Sequence, residues 1–286
     1  MRRKVFLTIA LLLCASLVFG QALPTVKPEL AGMSSERLGR LDRVLKKYTD
    51  EKKIPGAVAL IARHGKTVYF KSFGMSNIEA GIPMKNDTMF RIASMSKAIT
   101  STAVMMLYEE GYFLLNDPVS KFIPEFRNMK VIVPDSTGNS YKLIPAKGEI
   151  TIRMLLNHTS GITYGGGLLT DFYKNAGMTV GLTPTQGTIG EMIKKLASLP
   201  LISQPGEEYQ YGMSIDVLGY LVEAVSGMTF DKFMEQRIFA PLGMKDTCFI
   251  LPKEKLPRLA LLYHLNGQGV LEKDSVDPSY LCSQTY

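Results

Sequence analysis

Apolar and polar positions first fall into register behind Ser34 and Ser35. Leu38, Leu41, Val44 and Leu45 recur there at helical spacing, and either serine can cap the first turn. The pattern predicts a helix through Tyr48, broken by Ile54-Pro55-Gly56. Residues 57–62 are then a short apolar run of buried-strand type. His64-Gly65-Lys66 makes a turn, and residues 67–73 return as a second strand. A helix followed by a hairpin predicts an antiparallel sheet covered by helices.

From Phe90 the period lengthens. Ile99, Ala103, Met106 and Leu107 share one helical face, and Gly111 is a helix stop. Asp117-Pro118 pairs an N-cap with proline at the first helical position, which starts a short helix through Phe122. Further helices are expected at 150–157, 188–199, 214–225 and 230–238, with Gly227 ending the third. Residues 165–186 read as loop and Pro205-Gly206 as a turn. Past Leu251 the pattern weakens. The middle of the chain is mostly helical, and the early strands await partners.

The N-terminus has a different pattern. Arg2, Arg3 and Lys4 precede an apolar run over residues 5–19, and Gly20-Gln21-Ala22 supplies small residues for cleavage. This reads as a secretory signal peptide over 1–22, leaving 23–286 as the folded domain. A membrane anchor is the alternative, but the run is shorter than the roughly 20 residues a span needs. Cys14 stands where a lipoprotein cysteine would, yet Leu13 precedes it instead of a small residue. The expected location is therefore exported, periplasmic or extracellular, with no stable span after signal removal.

Composition adds little that is specific. With 46% hydrophobic residues the chain can bury a core. Its formal charge of +7 falls by three to +4 without the signal, too modest to point to nucleic acid. Cys248 and Cys282 lack metal-ligand spacing and could pair in an oxidising compartment. No metal or cofactor is expected.

The chemistry resides in Phe90-Arg91-Ile92-Ala93-Ser94-Met95-Ser96-Lys97. Residues three apart on a helix meet on one face, so the Lys97 amine can reach the Ser94 hydroxyl. A helix N-terminus also offers free N–H groups and a positive dipole end to a developing oxyanion. A serine nucleophile needs a base, and an ordinary ammonium is not one. The reading thus expects burial to strip Lys97 of its charge. Alone, Ser-x-x-Lys arises about once by chance in a chain of this size.

Several ordered segments supply the context. Residues 90–97 resemble the first motif of class C β-lactamases, D-Ala-D-Ala carboxypeptidases and related carboxylesterases. Leu114-Leu115-Asn116-Asp117-Pro118-Val119 resembles that family's turn after the catalytic helix. Residues 150–161, ending Asn157-His158-Thr159-Ser160-Gly161, resemble another signature. Pro205-Gly206-Glu207-Glu208-Tyr209-Gln210-Tyr211 and Leu218-Gly219 resemble the segment with the second catalytic motif. The resemblance runs from about Met33 to Leu251. It implies an α/β (α+β) fold of β-lactamase/transpeptidase-like type, an antiparallel sheet flanked by helices plus a mainly helical region. It also implies Ser94, Lys97 and Tyr211 as the catalytic trio, with Tyr209 the competing tyrosine.

Two departures alter the expectation. The family's Tyr-x-Asn is Tyr211-Gly212-Met213 here, and a thioether cannot donate the asparagine's hydrogen bond. That favours esters over efficient β-lactam hydrolysis. Nothing after Leu251 reads as the family's Lys-Thr-Gly-like third motif, so the domain is expected to be truncated at its C-terminus. The substrate class is a small ester or peptide-like molecule, cell-wall peptides included. A β-lactamase or carboxypeptidase, and a catalytically inactive or cell-wall-binding relative, are the alternatives. His158 and Asp216 are expected to be structural, His158 through packing or turn stabilisation.

Overall fold

The computed structural model describes residues 23–135, 140–180 and 187–282. The expected signal peptide, residues 1–22, lies outside the described residues, as does the 181–186 part of the expected loop. The described residues divide into two compact units, one within 23–91 and 241–282, the other within 92–240.

The first unit opens with helix α1 (Ser35–Asp50), capped by the Ser34 hydroxyl accepting from the Arg37 N–H. Its apolar positions are only half-buried, and Val44, expected on the packed face, is 50% exposed. Polar contacts fasten it instead. Asp42 accepts from Tyr69 Oη at 2.6 Å and from Lys71 Nζ at 2.7 Å.

Tyr69 and Lys71 lie on β2 (Lys66–Asn77), which pairs antiparallel with β1 (Gly56–Arg63). His64 and Gly65 both take positive φ, 50° and 68°, as a tight two-residue hairpin turn demands. β2 runs four residues beyond the expected strand because Gly74, at φ 70°, lets it pass against Pro55. A Cβ there would stand 2.4 Å from the Pro55 carbonyl oxygen. The short β3 (Ile82–Pro83) pairs with the end of β2.

The second unit is built on two helices packed together, α2 (Ser96–Glu109) and the later helix Ser214–Ser226. The stripe α2 buries is Thr100, Ala103, Val104 and Leu107, so Ile99 and Met106 flank the seam rather than fill it. Gly111, at φ 81°, follows its end. Asp117-Pro118 starts only a 3-10 turn, Val119–Lys121, instead of the expected helix. A hairpin that periodicity did not reveal follows, β4 (Lys130–Pro134) with β5 (Tyr141–Pro145).

The expected 150–157 helix shortens to α3 (Ile152–Leu156), because the Thr151 side chain caps it by accepting from Met154 N–H. The expected loop from 165 contains a helix, α4 (Thr170–Asn175). Tyr173 on α4 is buried and donates to the Thr163 carbonyl at 3.0 Å. Helix α5 (Ile189–Ala197) carries a reciprocal capping box of Thr188 and Glu191.

Helix α6 (Ser214–Ser226) ends at Gly227, in left-handed conformation. Val217, Leu218, Leu221 and Val222 are fully buried, and α2, α3 and α5 all pack on α6. Helix α7 (Phe230–Met234) runs on as a π-helical turn, Glu235–Phe239.

Back in the first unit, a 3-10 segment (Lys253–Arg258) and a small hairpin, β6 (Tyr263–Leu265) with β7 (Leu271–Lys273), occupy the region where the sequence pattern weakens. Leu251 and Leu259 pack with Met89, and Cys282 joins that cluster. Both Cys248 and Cys282 carry free thiols. Among the described residues no helix is long and apolar enough to cross a membrane.

Candidate active site

Ser94 does not sit inside α2 but in a 3-10 turn, Ala93–Met95, that leads into it. Ala93 immediately before it has φ 43°, a left-handed conformation that costs a non-glycine residue energy and recurs at functional sites. The Ser94 side chain is consequently presented to solvent. Lys97 lies on the first turn of α2, and its Nζ donates to Ser94 Oγ at 3.2 Å, the contact expected from the three-residue spacing.

Two tyrosines complete the group. Lys97 Nζ lies 4.9 Å from the ring centroid of Tyr211 and donates to Tyr164 Oη at 3.0 Å. The Tyr164 and Tyr211 rings meet edge-on, with centroids 5.8 Å apart. Of the two tyrosines named from sequence, Tyr211 stands with Lys97. Tyr209 is 65% exposed and packs edge-on against His158. Tyr164 was not anticipated. The family signature ends at Gly161, and Thr163-Tyr164-Gly165 directly after it is the available signal.

Charge is distributed differently from the sequence expectation. Burial does disfavour the Lys97 ammonium. Hydrogen bonds with Tyr164 and Tyr211 outweigh it, and the pKa rises above its ordinary 10.5. Lys97 therefore rests as a cation. Tyr211 moves the other way. Hydrogen bonding with Ser94, then with Lys97, and the Lys97 charge hold its phenol below the usual 10.0. The lysine charge thus favours the phenolate form of Tyr211 relative to an isolated tyrosine.

Met213, at the family's asparagine position, is 2% exposed and belongs to the core. The intervening Gly212 has no room for a side chain, since a Cβ would lie 2.4 Å from Thr163 Cα and 2.5 Å from the Ile162 oxygen. This backbone-to-backbone approach brings Tyr211 beside Tyr164. Below it, the fully buried hydroxyls of Ser160 and Ser214 share a hydrogen bond of 2.9 Å, joining the same loop to the start of α6.

His158 is buried, with its ring 4.9 Å from that of Tyr211. Burial, then the charge of Lys97, lowers its pKa from 6.5. Asp216 on α6 remains accessible to solvent, yet the surrounding protein raises its carboxyl pKa against the opposing pull of Lys97. Among the described residues no three His, Cys, Asp or Glu side chains gather as a metal site.

Known proteins resemble this chain over most of its length. Residues 41–282 match the family model described as Beta-lactamase. Esterase EstB of Burkholderia gladioli is 36% identical over 233 residues, which cover 80% of this chain and 55% of EstB. Monacolin J acid methylbutanoyltransferase of Aspergillus terreus is 30% identical over 249 residues, covering 83% of this chain and 58% of the transferase. The solved structure of EstCE1, described as a hydrolase with promiscuous acyltransferase activity, superposes with a TM-score of 0.72 at 30% identity. That match covers 83% of this chain and 58% of EstCE1. The chain thus spans a little over half the length of these relatives. With a serine–lysine–tyrosine cluster on a β-lactamase/transpeptidase-like fold, and a family match over most of its length, the chain belongs to the Beta-lactamase family of serine hydrolases and acyltransferases.

Proposed function

We propose that this protein is an exported serine hydrolase that acts on carboxylic esters through an acyl-enzyme at Ser94. The observation that carries the reading is the position of Lys97 Nζ, 3.2 Å from Ser94 Oγ and 4.9 Å from the Tyr211 ring centroid. Tyr211 accepts the hydroxyl proton as Ser94 Oγ bonds to the ester carbonyl carbon. Lys97 stays charged and holds Tyr211 as the acceptor. The Ser94 backbone N–H, in the turn entering α2, contributes to stabilising the oxyanion. The proton passes from Tyr211 to the departing alcohol as the ester C–O bond breaks. Water then takes the acyl group, or a second alcohol does, as the acyltransferase relatives suggest.

Esters are favoured over β-lactams because Met213 is a buried thioether where the family places an amide. Small esters are the proposed substrates, and cell-wall peptides are the alternative class, handled by the same residues. A nitrophenyl ester of short acyl chain and the chromogenic cephalosporin nitrocefin, offered to the same preparation, separate the readings. Turnover of the ester with little nitrocefin hydrolysis supports the esterase. The reverse preference would favour the β-lactamase reading, and turnover of neither by a folded protein would count against both.

A further inference from the structure

His158 lies at the edge of the trio without a part in the acyl-transfer scheme, and its surroundings call for an explanation. Its backbone is left-handed, φ 58°, which a residue with a ring adopts only when its surroundings over-determine it. The neighbouring hydrogen bonds do so. The His158 carbonyl accepts from Gln210 N–H at 2.7 Å, and the Thr159 carbonyl accepts from Gly206 N–H at 2.7 Å. Both bonds stitch the loop after α3 to the segment that carries Tyr211.

The ring is 8% exposed, and its Nδ1 is buried with no hydrogen-bond partner. A buried polar atom left unpaired is uncommon in a native fold. A phenylalanine would fill the same space without that cost. The imidazole packs on the Tyr211 ring at 4.9 Å, tilted by 39°, and meets Tyr209 edge-on at 5.9 Å.

We propose that His158 is the positioning residue for Tyr211, seating the phenol beside Lys97 and Ser94 only while the imidazole is neutral. The inference rests on the proposed role of Ser94 and Tyr211. The titratable groups around His158 are Lys97 from α2 and Tyr209 and Tyr211 from the segment before α6. Tyr164 stands behind Tyr211, and Asp216 on α6 lies within the field of Lys97. A proton on His158 would place a second cation, without a hydrogen-bond acceptor at Nδ1, beside the Lys97 ammonium. The two cations repel, and the ring leaves its seat. In acid the site would therefore lose its geometry as well as its phenolate.

The test is the second-order rate at which a fluorophosphonate labels the purified protein across the pH range, for wild type, His158→Phe and His158→Asn. Phenylalanine keeps a ring that cannot charge, and asparagine tolerates the left-handed backbone but removes the ring. The ratio of wild-type to His158→Phe rates should be flat above about pH 7 and fall by about tenfold per pH unit once His158 is protonated, below its ordinary 6.5. His158→Asn should label about tenfold or more slowly than wild type above about pH 7, where His158 is neutral, while unfolding as cooperatively as wild type. A ratio flat down to acid pH overturns the charge dependence, and wild-type rates in His158→Asn overturn the positioning. Absence of labelling in wild type itself would sink the acyl-enzyme reading instead.

Discussion

Gly212 and Thr163 approach so closely that a single methyl group does not fit between them. A Cβ on Gly212 would stand 2.4 Å from Thr163 Cα, inside any van der Waals contact, and the obstacle is backbone that cannot rotate away. This contact places Tyr211 and Tyr164, one on each of the two segments, around one ammonium. Gly212→Ala should push the Tyr211 segment outward and slow acylation by about tenfold or more, because a displacement of an ångström suffices to disrupt a reacting geometry. Burst kinetics with a nitrophenyl ester would show it, and an unchanged burst rate would mean the close approach has no bearing on the site.

Tyr164 supports the charge on Lys97. Its hydroxyl accepts from Nζ at 3.0 Å and is among the causes that raise the lysine pKa. A raised ammonium keeps its proton through neutral pH and loses it only as pH climbs through the raised value. Tyr164→Phe removes that support, so the alkaline limb of the activity profile should move to lower pH. A limb that stays in place would show that Tyr211 alone holds the lysine charged.

The acid side follows from Tyr211. Its pKa is held below 10.0, so the proton-accepting form prevails above the depressed value and is lost as pH falls through it. Activity should therefore rise with pH on the acid side. Lys97→Met removes one cause of the depression and should shift that rise to higher pH, besides slowing the reaction. A profile whose acid limb is unmoved in Lys97→Met would rule out the lysine as what tunes the tyrosine.

Much of this arrangement was legible before any coordinates, for particular reasons. Ser94 and Lys97 are three residues apart in one continuous segment, so local geometry alone predicts their contact. Gly227 and Ser34 bound their helices as cap chemistry dictates. Tyr211 could be placed only through the resemblance around Pro205-Gly206. Tyr164 escaped because its meeting with Lys97 joins positions 67 residues apart. The β4–β5 hairpin escaped because β5 is largely exposed and shows little apolar alternation. The charge of Lys97 was misjudged for a similar reason. Burial was legible in the motif, while the two phenols that oppose it come from distant segments.

The core gives an independent check on the fold. Leu218 on α6 is fully buried at the seam where α2, α3 and α5 converge. Leu218→Ala should destabilise the protein by about 2–5 kcal/mol, the usual range for a leucine truncated in a packed core. Denaturant unfolding measures it, and a loss well under 1 kcal/mol would mean that this helix is not central.

In the other unit, Asp246 is paired with Arg258 and Lys255, and the hydrogen bond to Arg258 first, then that to Lys255, holds its carboxyl down to about 2. A depressed carboxyl contributes stability that is fully present above its ordinary 3.8 and is lost as pH falls through about 2. The melting temperature of Asp246→Asn should therefore lie below that of wild type at neutral pH, and the gap should close toward pH 2. A gap that is the same at both ends of the range would show that the carboxylate charge contributes nothing.

In the proposed mechanism Ser94 is a nucleophile activated by Tyr211 and Lys97. The most direct test is to treat the purified protein with a fluorophosphonate and locate the adduct by peptide mass spectrometry. One phosphonylated residue is expected, Ser94, with labelling abolished in Ser94→Ala and strongly slowed in Tyr211→Phe. Undiminished labelling of Ser94→Ala, or an adduct on another residue, would contradict it.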